Sequence, residues 1–263
     1  MRFADSHCHI DLAAFDHDRE AVLTDCKRLG IKRLLVPGLS LNRMNKLLSL
    51  RQTFPQLDIC AGFHPYFLNE ISQEQWPSQL HVMEGLIEQH RGDIVAIGEF
   101  GLDGSLPLAM DFQQQVFVDQ LHLAKSFHLP VVLHHRQSHN ELIRLIKQQK
   151  FSGGGVIHAF SGSQHIAQTY VDLGFYLGIG GTITYPRGKK TREAIRHIPL
   201  ECLLLETDAP DMPLCGYQGE RNSPTQLPKI AAALAQLKQV SMEEVANTTS
   251  INYKSLLSSG SMS

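Results

Sequence analysis

Short apolar runs alternate along the chain with longer segments in which apolar residues recur every three to four positions. A continuous apolar run of this length is typical of a strand buried on both faces, and the longer period is typical of a helix with one buried face. The predicted strands lie within residues 5–11, 31–38, 57–65, 93–103, 129–136, 154–162, 174–181 and 201–210. Helices are predicted at 16–29, 42–54, 73–90 and 110–128, and a helix-like segment follows each later strand.

Strands that alternate with helices in this way predict a parallel sheet covered by helices. Eight such units fit a closed (β/α)8 barrel, the TIM barrel, better than an open sheet, and we expect a single α/β domain over residues 1–263. Residues 210–228 are rich in Pro, Gly and Asn and are interpreted as a long loop after the eighth strand. The chain end, residues 258–263, is expected to be frayed.

The first predicted strand carries the motif DSHCHID. Successive side chains of a strand alternate between its faces, so His7 and His9 point the same way and can share one metal ion, whereas Cys8 faces the opposite side. Taken alone, an H-x-H pair is equally compatible with two histidines that are merely hydrogen-bonded. Only further ligands can decide between the two interpretations.

Ligand-type side chains also end most of the other apolar runs. His64 follows the third run, Glu99 the fourth, His134 and His135 the fifth, His158 the sixth and Asp208 the eighth. The active site of a (β/α)8 barrel lies at the carboxyl ends of its strands, so these side chains are expected to meet there. An acid such as Glu99 directly after a buried strand is costly unless a cation or hydrogen bonds neutralise it. We therefore predict a metal site at this end of the strands.

Several of these positions leave alternatives open. His134 and His135 are adjacent and must face opposite ways, and the pattern alone does not say which of them enters the barrel mouth. Glu206 and Asp208 lie on one side of their strand, and either acid could be the functional one. A lone strand-end histidine such as His158 is more often a packed core residue.

Basic residues follow the fifth, seventh and eighth predicted strands: Arg136, Arg187, Lys189, Lys190, Arg192 and Arg221. Some of these side chains could lie near the barrel mouth and bind an anion. Most of them are expected to be solvated on the surface.

Charge and cysteine content narrow the class of protein. The 24 Lys and Arg residues against 26 acids give a formal net charge of −2, which does not favour a protein that coats duplex DNA or lies on a membrane surface. The five cysteines form no C-x-x-C pair, which argues against a disulfide framework and for a reducing compartment. The sequence shows no apolar signal region and no apolar run long enough to span a membrane, so a cytoplasmic location is expected.

The ordered segments HCHID, GFHP, GEFGLD, LPVVLHHR, GVIHAFSG and LLLETDAP extend over nearly the whole chain. The order, spacing and residues of these segments resemble those of the TatD family of metal-dependent deoxyribonucleases in the amidohydrolase superfamily. The resemblance implies a TIM barrel with two divalent cations, and it favours His134 over His135. The ligand set that it implies is His7, His9 and Asp208 for the first ion, His134 and His158 for the second, and Glu99 shared by both. His64 corresponds to an active-site histidine that is not a ligand.

Two positions depart from the family pattern. Gly104 follows GLD where an aromatic residue is common, and Ser223 lies in RNSP where an acid is common. Neither departure concerns an implied ligand, and both bear on substrate preference.

The resemblance implies hydrolysis of phosphodiester bonds in DNA. Two divalent cations about 3.5–4 Å apart lower the pKa of a bound water and stabilise the attacking and leaving oxygens together, and Asp208 then accepts a proton as well as binding an ion. Imidazole and carboxylate ligands without thiolate suit Mg, Mn or Zn. A barrel mouth is a pit rather than a groove, so the expected partner is the end of a single DNA strand or an oligonucleotide. No membrane and no obligate protein partner are expected.

Two other functions stay open. A hydrolase of a small ester, lactone, amide or phosphate ester could use the same ions, because the fold alone does not decide the substrate. A barrel that binds metal without turnover is disfavoured because Glu99, Asp208 and His64 accompany the ligands.

Overall fold

The structure is a computed structural model that describes residues 1–258. Its strands are β1 Phe3–Asp5, β2 Ile31–Val36, β3 Leu57–Ala61, β4 Ile94–Asp103, β5 Val131–Arg136, β6 Gly155–Ile157, β7 Phe175–Ile179 and β8 Leu203–Leu205. They form one sheet whose order follows the sequence from β1 to β8, and every strand pair with a recorded register is parallel. The predicted (β/α)8 barrel fold is therefore confirmed.

Each strand is followed by a helix, and a ninth helix completes the described chain. The helices are α1 Arg19–Arg28, α2 Leu41–Thr53, α3 Trp76–Gln89, α4 Met110–Phe127, α5 His139–Gln148, α6 Gln164–Asp172, α7 Lys189–His197, α8 Leu227–Lys238 and α9 Met242–Ser258. In α4 the buried residues Phe112, Val116 and Leu123 recur at helical spacing, which gives the helix one apolar face. The expectation of a frayed end concerns residues 258–263, of which 259–263 lie outside the described residues.

The chain falls into two compact units. The first unit consists of Met1–Val36 and His158–Ser255 and contains β1, β2, β7 and β8. In this unit the ends of β1 and β8 are joined, because Ser6 N donates to Leu205 O over 2.8 Å and Asp208 N donates to His7 O over 2.9 Å. The first and last strands of the sequence are therefore neighbours, as a closed sheet requires.

The second unit contains β3 to β6, within Pro37–Ile157. Its strands are in parallel register, with Ile97 opposite Val131 and Gly101 opposite His134. The register between β4 and β5 shifts between Gly98 and Phe100, so that Glu99 is an extra residue at a bulge. A bulge bends its strand and turns a side chain away from regular alternation. This local irregularity sets the direction of the Glu99 side chain.

Six of the predicted strands extend too far at their carboxyl ends, whereas the fourth and fifth end at Asp103 and Arg136 as predicted. Strand β1 ends at Asp5, so His7 and His9 lie on an extended segment after the strand and not on the strand itself. The backbone hydrogen bonds of this segment are irregular. The N–H groups of Ser6 and His9 donate to the β8 segment, and that of Cys8 donates to Leu35 of β2. A regular strand would alternate between its neighbours at every residue. Likewise β6 ends directly before His158 and β8 directly before Glu206.

Among residues 1–258, no helix is both long enough and apolar enough to cross a membrane.

The close approach of β4 and β5 gives a testable prediction for the fold. A Cβ atom at Gly101 would lie 2.0 Å from the backbone oxygen of His134, so Gly101→Ala must push the two strands apart. We expect a loss of stability of about 1–3 kcal/mol, the usual cost of overpacking, measured by urea unfolding. The control is Gly85→Ala in α3, where no atom lies within 4 Å and a gain of about 0.5–1 kcal/mol is expected. Equal stabilities of the two variants would contradict this description of the register.

Candidate active site

In the first unit, the side chains of two histidines lie close to one carboxylate oxygen of an aspartate. His7 Nε2 lies 3.7 Å and His9 Nε2 3.6 Å from Asp208 Oδ1, and the two Nε2 atoms are 3.2 Å apart. All three residues come from segments that directly follow β1 or β8. The sequence-predicted group His7, His9 and Asp208 is thus brought together.

The spacing of these three atoms fits a shared cation. Ligands bound at about 2.0–2.1 Å in tetrahedral geometry lie about 3.3–3.4 Å from each other, and the observed separations of 3.2, 3.6 and 3.7 Å bracket this value. The imidazole and carboxylate donors, together with their geometry, therefore fit a divalent cation.

The backbone holds Asp208 in an unusual conformation. Its φ is +55°, in the left-handed region that aspartate adopts more readily than most residues. Asn222 stabilises this turn from behind, since its side-chain amide donates to the carbonyls of Thr207 and Asp211, both over 2.8 Å. Burial raises the pKa of Asp208, but the neighbouring His158, His7 and His9 lower it more, so the net pKa is below its usual value. Asp208 is therefore ionised at neutral pH.

His158 joins the same group. Its ring stacks on His7 with centroids 3.4 Å apart, and its Nε2 lies 3.6 Å from Asp208 Oδ1. On the other side of the ring, Nδ1 lies 3.1 Å from Oε1 of Glu206. A carboxylate at this distance favours a proton on Nδ1, which leaves the lone pair of Nε2 directed towards Asp208.

Glu206 is held tightly in this position. Its Oε1 accepts a hydrogen bond from Ala159 N over 2.7 Å, and the residue is fully buried. A Cβ atom at Gly178 of β7 would lie 2.1 Å from Glu206 Oε2, so only glycine leaves room for this carboxylate. Of the two acids that the sequence could not separate, Asp208 faces Nε2 of the histidines and Glu206 lies behind His158.

A third acid lies behind His7. Asp5, at the end of β1, accepts hydrogen bonds from His7 N and Thr207 N over 3.2 and 3.0 Å, and Thr207 Oγ1 donates to it over 2.6 Å. Burial raises the pKa of Asp5 to about 8. Asp5 therefore ties the segment that carries His7 to the segment that carries Asp208.

The second unit also contains a group of ligand-type side chains. Glu99 Oε1 is 3.1 Å from His134 Nδ1 and 3.4 Å from His64 Nε2. These three residues also offer ligand atoms that could hold a metal ion. His135, by contrast, stacks on His139 with centroids 4.2 Å apart. The structure thus places His134, and not its neighbour, beside Glu99.

His64 differs from His134 and Glu99 because one of its ring nitrogens is already engaged in a backbone hydrogen bond. Its Nδ1 accepts a hydrogen bond from Tyr66 N over 3.0 Å and caps the short 3₁₀ helix Pro65–Glu70. A neutral imidazole whose Nδ1 accepts a bond carries its proton on Nε2. His64 therefore directs an N–H group, and not a lone pair, towards Glu99, which suits a proton donor better than a ligand.

Asp103 completes this second group and was not among the predicted site residues. Its Oδ2 lies 3.5 Å from His134 Nε2, and its Oδ1 accepts bonds from Ser105 N and Oγ over 2.8 and 2.6 Å. Burial raises the pKa of Asp103, but hydrogen bonds with His134 and Ser105 lower it more, to well below its usual range. The only signal in the sequence was its place at the end of GEFGLD. The structure adds that Asp103 is paired with Arg136, two residues after His134.

Comparison with known proteins identifies the family of the chain. The family described as TatD related DNase matches residues 4–258. The chain belongs to the TatD family. It is 40% identical over 247 residues to the metal-dependent hydrolase YjjV of Escherichia coli K12, and the match covers 93% of each chain. A putative deoxyribonuclease, tatdn3, of Danio rerio is 31% identical over 97% of each chain.

The crystal structure of YjjV superposes on this TatD-family chain with a TM-score of 0.90, at 38% identity and over 97% of each chain. The agreement extends to the whole barrel. The protein is therefore a metal-dependent hydrolase, and the histidine and carboxylate groups described above are its candidate metal ligands. The sharing of Glu99 between two ions and the assignment of His158 to the second ion stay predictions.

The position of Glu206 behind His158 gives a prediction for metal binding. Glu206→Gln keeps the acceptor for Ala159 N but removes the charge beside His158 Nδ1. Because outer carboxylates orient metal-binding histidines, we expect metal affinity to fall about 10–100-fold with little change in melting temperature. Affinity is measured by competition with a chromophoric chelator.

The matched control is Glu193→Gln on α7, which removes a surface carboxylate that lies 2.9 Å from His197 Nε2. This variant should bind metal as the wild type does. Unchanged metal affinity in Glu206→Gln would contradict the role given to Glu206.

Proposed function

We propose that the protein hydrolyses phosphodiester bonds of DNA with the help of two divalent cations. The observation that carries the proposal is the equal spacing of His7, His9 and His158 Nε2 around Asp208 Oδ1, at 3.6–3.7 Å. The second group, around Glu99, and the family resemblance support the count of two ions. Mg, Mn and Zn all suit these imidazole and carboxylate donors.

Bound divalent cations lower the pKa of a water molecule and offset the negative charge of a phosphodiester. The side chains of the protein supply the proton transfers. Asp208 is ionised because three imidazoles surround it, so it can accept the proton that the attacking water loses. His64 carries its proton on Nε2 and can donate it to a phosphate oxygen or to the leaving oxygen.

DNA is favoured over a small ester because the family is described as TatD related DNase and the Danio rerio relative as a putative deoxyribonuclease. We propose single-stranded ends or oligonucleotides as the substrate, because the strand-end loops of a barrel surround a pit that a continuous duplex does not enter. Hydrolysis of a small ester, lactone, amide or phosphate ester is the alternative, since one fold supports many substrates.

The substrate class is tested by a panel of single-stranded DNA, duplex DNA, a lactone and a simple phosphate ester, each with and without chelator. The proposal expects chelator-sensitive cleavage of single-stranded DNA at a higher kcat/KM than that of any other substrate. Faster turnover of the lactone than of DNA would overturn it in favour of the alternative.

The geometry of His64 predicts the effect of its replacement. His64→Asn keeps an acceptor for Tyr66 N and so retains the helix cap, but it removes the imidazole proton donor. We expect normal metal content and melting temperature with a loss of DNA cleavage of about 10²–10⁴-fold, the usual worth of general acid catalysis.

Two further variants make this experiment decisive. His64→Ala removes both the acceptor for Tyr66 N and the proton donor, so this variant should lose stability as well as turnover. His122→Ala removes an exposed histidine that is bonded to Gln149 on the helical surface and should change neither. Wild-type cleavage by His64→Asn would refute the proton-donor role, and loss of metal would identify His64 as a ligand.

A further inference from the structure

The first unit contains a cavity of about 340 Å³ that the metal groups do not use. Its walls include Ser161, Thr182, Tyr185, Arg187, Thr191 and Met212. Cavities that bind small molecules are typically about 300–1,000 Å³. The cavity is therefore large enough for a ligand with the size of one nucleotide unit.

The cavity opens on the same loops that carry candidate active-site residues. Ser161 lies three residues after His158 on the β6 loop, and Met212 lies four residues after Asp208 on the β8 loop. Three residues span at most about 11 Å of chain. A group in the cavity is therefore within the length of one or two nucleotides of His158.

Basic side chains lie at and directly beside the cavity. Arg187 lines the cavity, Lys189 and Lys190 follow it at the start of α7, and all three side chains are exposed. None of the three forms an ion pair with a carboxylate of residues 1–258. Arg196, at the other end of α7, is paired with Glu193 instead. The first N–H groups of α7, which begins at Lys189, add partial positive charge at the rim. These charges favour a ligand with an anionic group.

The cavity wall is held in place before any ligand arrives. Tyr185 Oη donates to Pro213 O over 2.7 Å, and the guanidinium of Arg187 lies 5.0 Å from the centroid of the Tyr185 ring. Cys215 N donates to Thr184 Oγ1 over 2.9 Å, which joins the β7 and β8 loops a second time. Tyr185 thus fixes Arg187 at the rim and presents an aromatic surface beside it.

We propose that this cavity binds a nucleotide that flanks the scissile phosphodiester. Its phosphate lies at Arg187 and the start of α7, and its sugar and base occupy the cavity beside Tyr185. This inference rests on the proposed DNA hydrolysis and assigns the part of the protein that distinguishes a DNA strand from a simple phosphate ester.

The test measures binding apart from hydrolysis. Metal-free protein, prepared with chelator, is titrated with a labelled single-stranded pentadeoxynucleotide and followed by fluorescence anisotropy. Arg187→Gln should weaken binding about 10-fold or more, since a charge-assisted hydrogen bond is replaced by a neutral one. The slope of log K against log salt should also fall by about 0.7, the value for one phosphate contact on a single strand. The matched control, Arg196→Gln on the same helix, should leave affinity and slope unchanged.

Kinetics on the metal-loaded enzyme supply a second measurement. Arg187→Gln should raise KM for the pentadeoxynucleotide about 10-fold or more, as it weakens binding, with a much smaller change in kcat. Melting temperatures of both variants show that the fold is retained. Equal affinities of Arg187→Gln and the wild type, or equal losses in Arg187→Gln and Arg196→Gln, would overturn the inference.

The outcomes separate this inference from the proposed function. Cleavage of DNA with a normal KM by Arg187→Gln would overturn the nucleotide site and leave DNA hydrolysis intact. Arg187-dependent binding of the pentadeoxynucleotide without DNA cleavage would support the site while the proposed function fails. Arg187-dependent binding of inorganic phosphate, without any dependence for the pentadeoxynucleotide, would reduce the cavity to a phosphate site and overturn the proposal.

Discussion

A single carboxylate oxygen, Asp208 Oδ1, faces the Nε2 atoms of three histidines at 3.6–3.7 Å, and the first unit is arranged around this contact. A buried charge is tolerated only when other charges or hydrogen bonds compensate it. His7, His9, His158 and Asp208 all lie on irregular segments just after a strand, and these segments bring the three imidazoles to the carboxylate.

Both units repeat one arrangement, an imidazole between two carboxylates. His158 lies between Asp208 and Glu206, at 3.6 and 3.1 Å, and His134 lies between Glu99 and Asp103, at 3.1 and 3.5 Å. In each arrangement the two carboxylates hold the imidazole in one orientation, as outer carboxylates do for histidines that bind a metal ion. The repeated arrangement agrees with a metal-dependent hydrolase.

The sequence predicted the barrel and the residues that end its strands, because both follow from local periodicity. It could not separate Glu206 from Asp208, since their roles depend on Gly178 of the neighbouring strand, which leaves room for the Glu206 carboxylate. Asp103 was missed because its contact with His134 depends on the register of β4 and β5. The direction of Glu99 depends on a bulge that no pattern of apolar residues indicates. Interactions that depend on the pairing of distant strands were thus the part that the sequence did not predict.

Although the formal net charge is only −2, acidic and basic side chains are concentrated in different places of the molecule. Glu99, Asp103 and Glu206 are buried acids, whereas Arg187, Lys189 and Lys190 are exposed just before and at the start of α7. An anionic substrate is repelled by uncompensated acids, so it needs positive charge from bound cations at the acids and from basic side chains at the surface. Bound cations act at short range on the reacting phosphate, whereas surface arginine and lysine side chains can hold the next phosphate of a strand. Since only a polyanion gains from both, the distribution of charge, rather than its sum, supports the proposal of a nucleic acid rather than a small ester as the substrate.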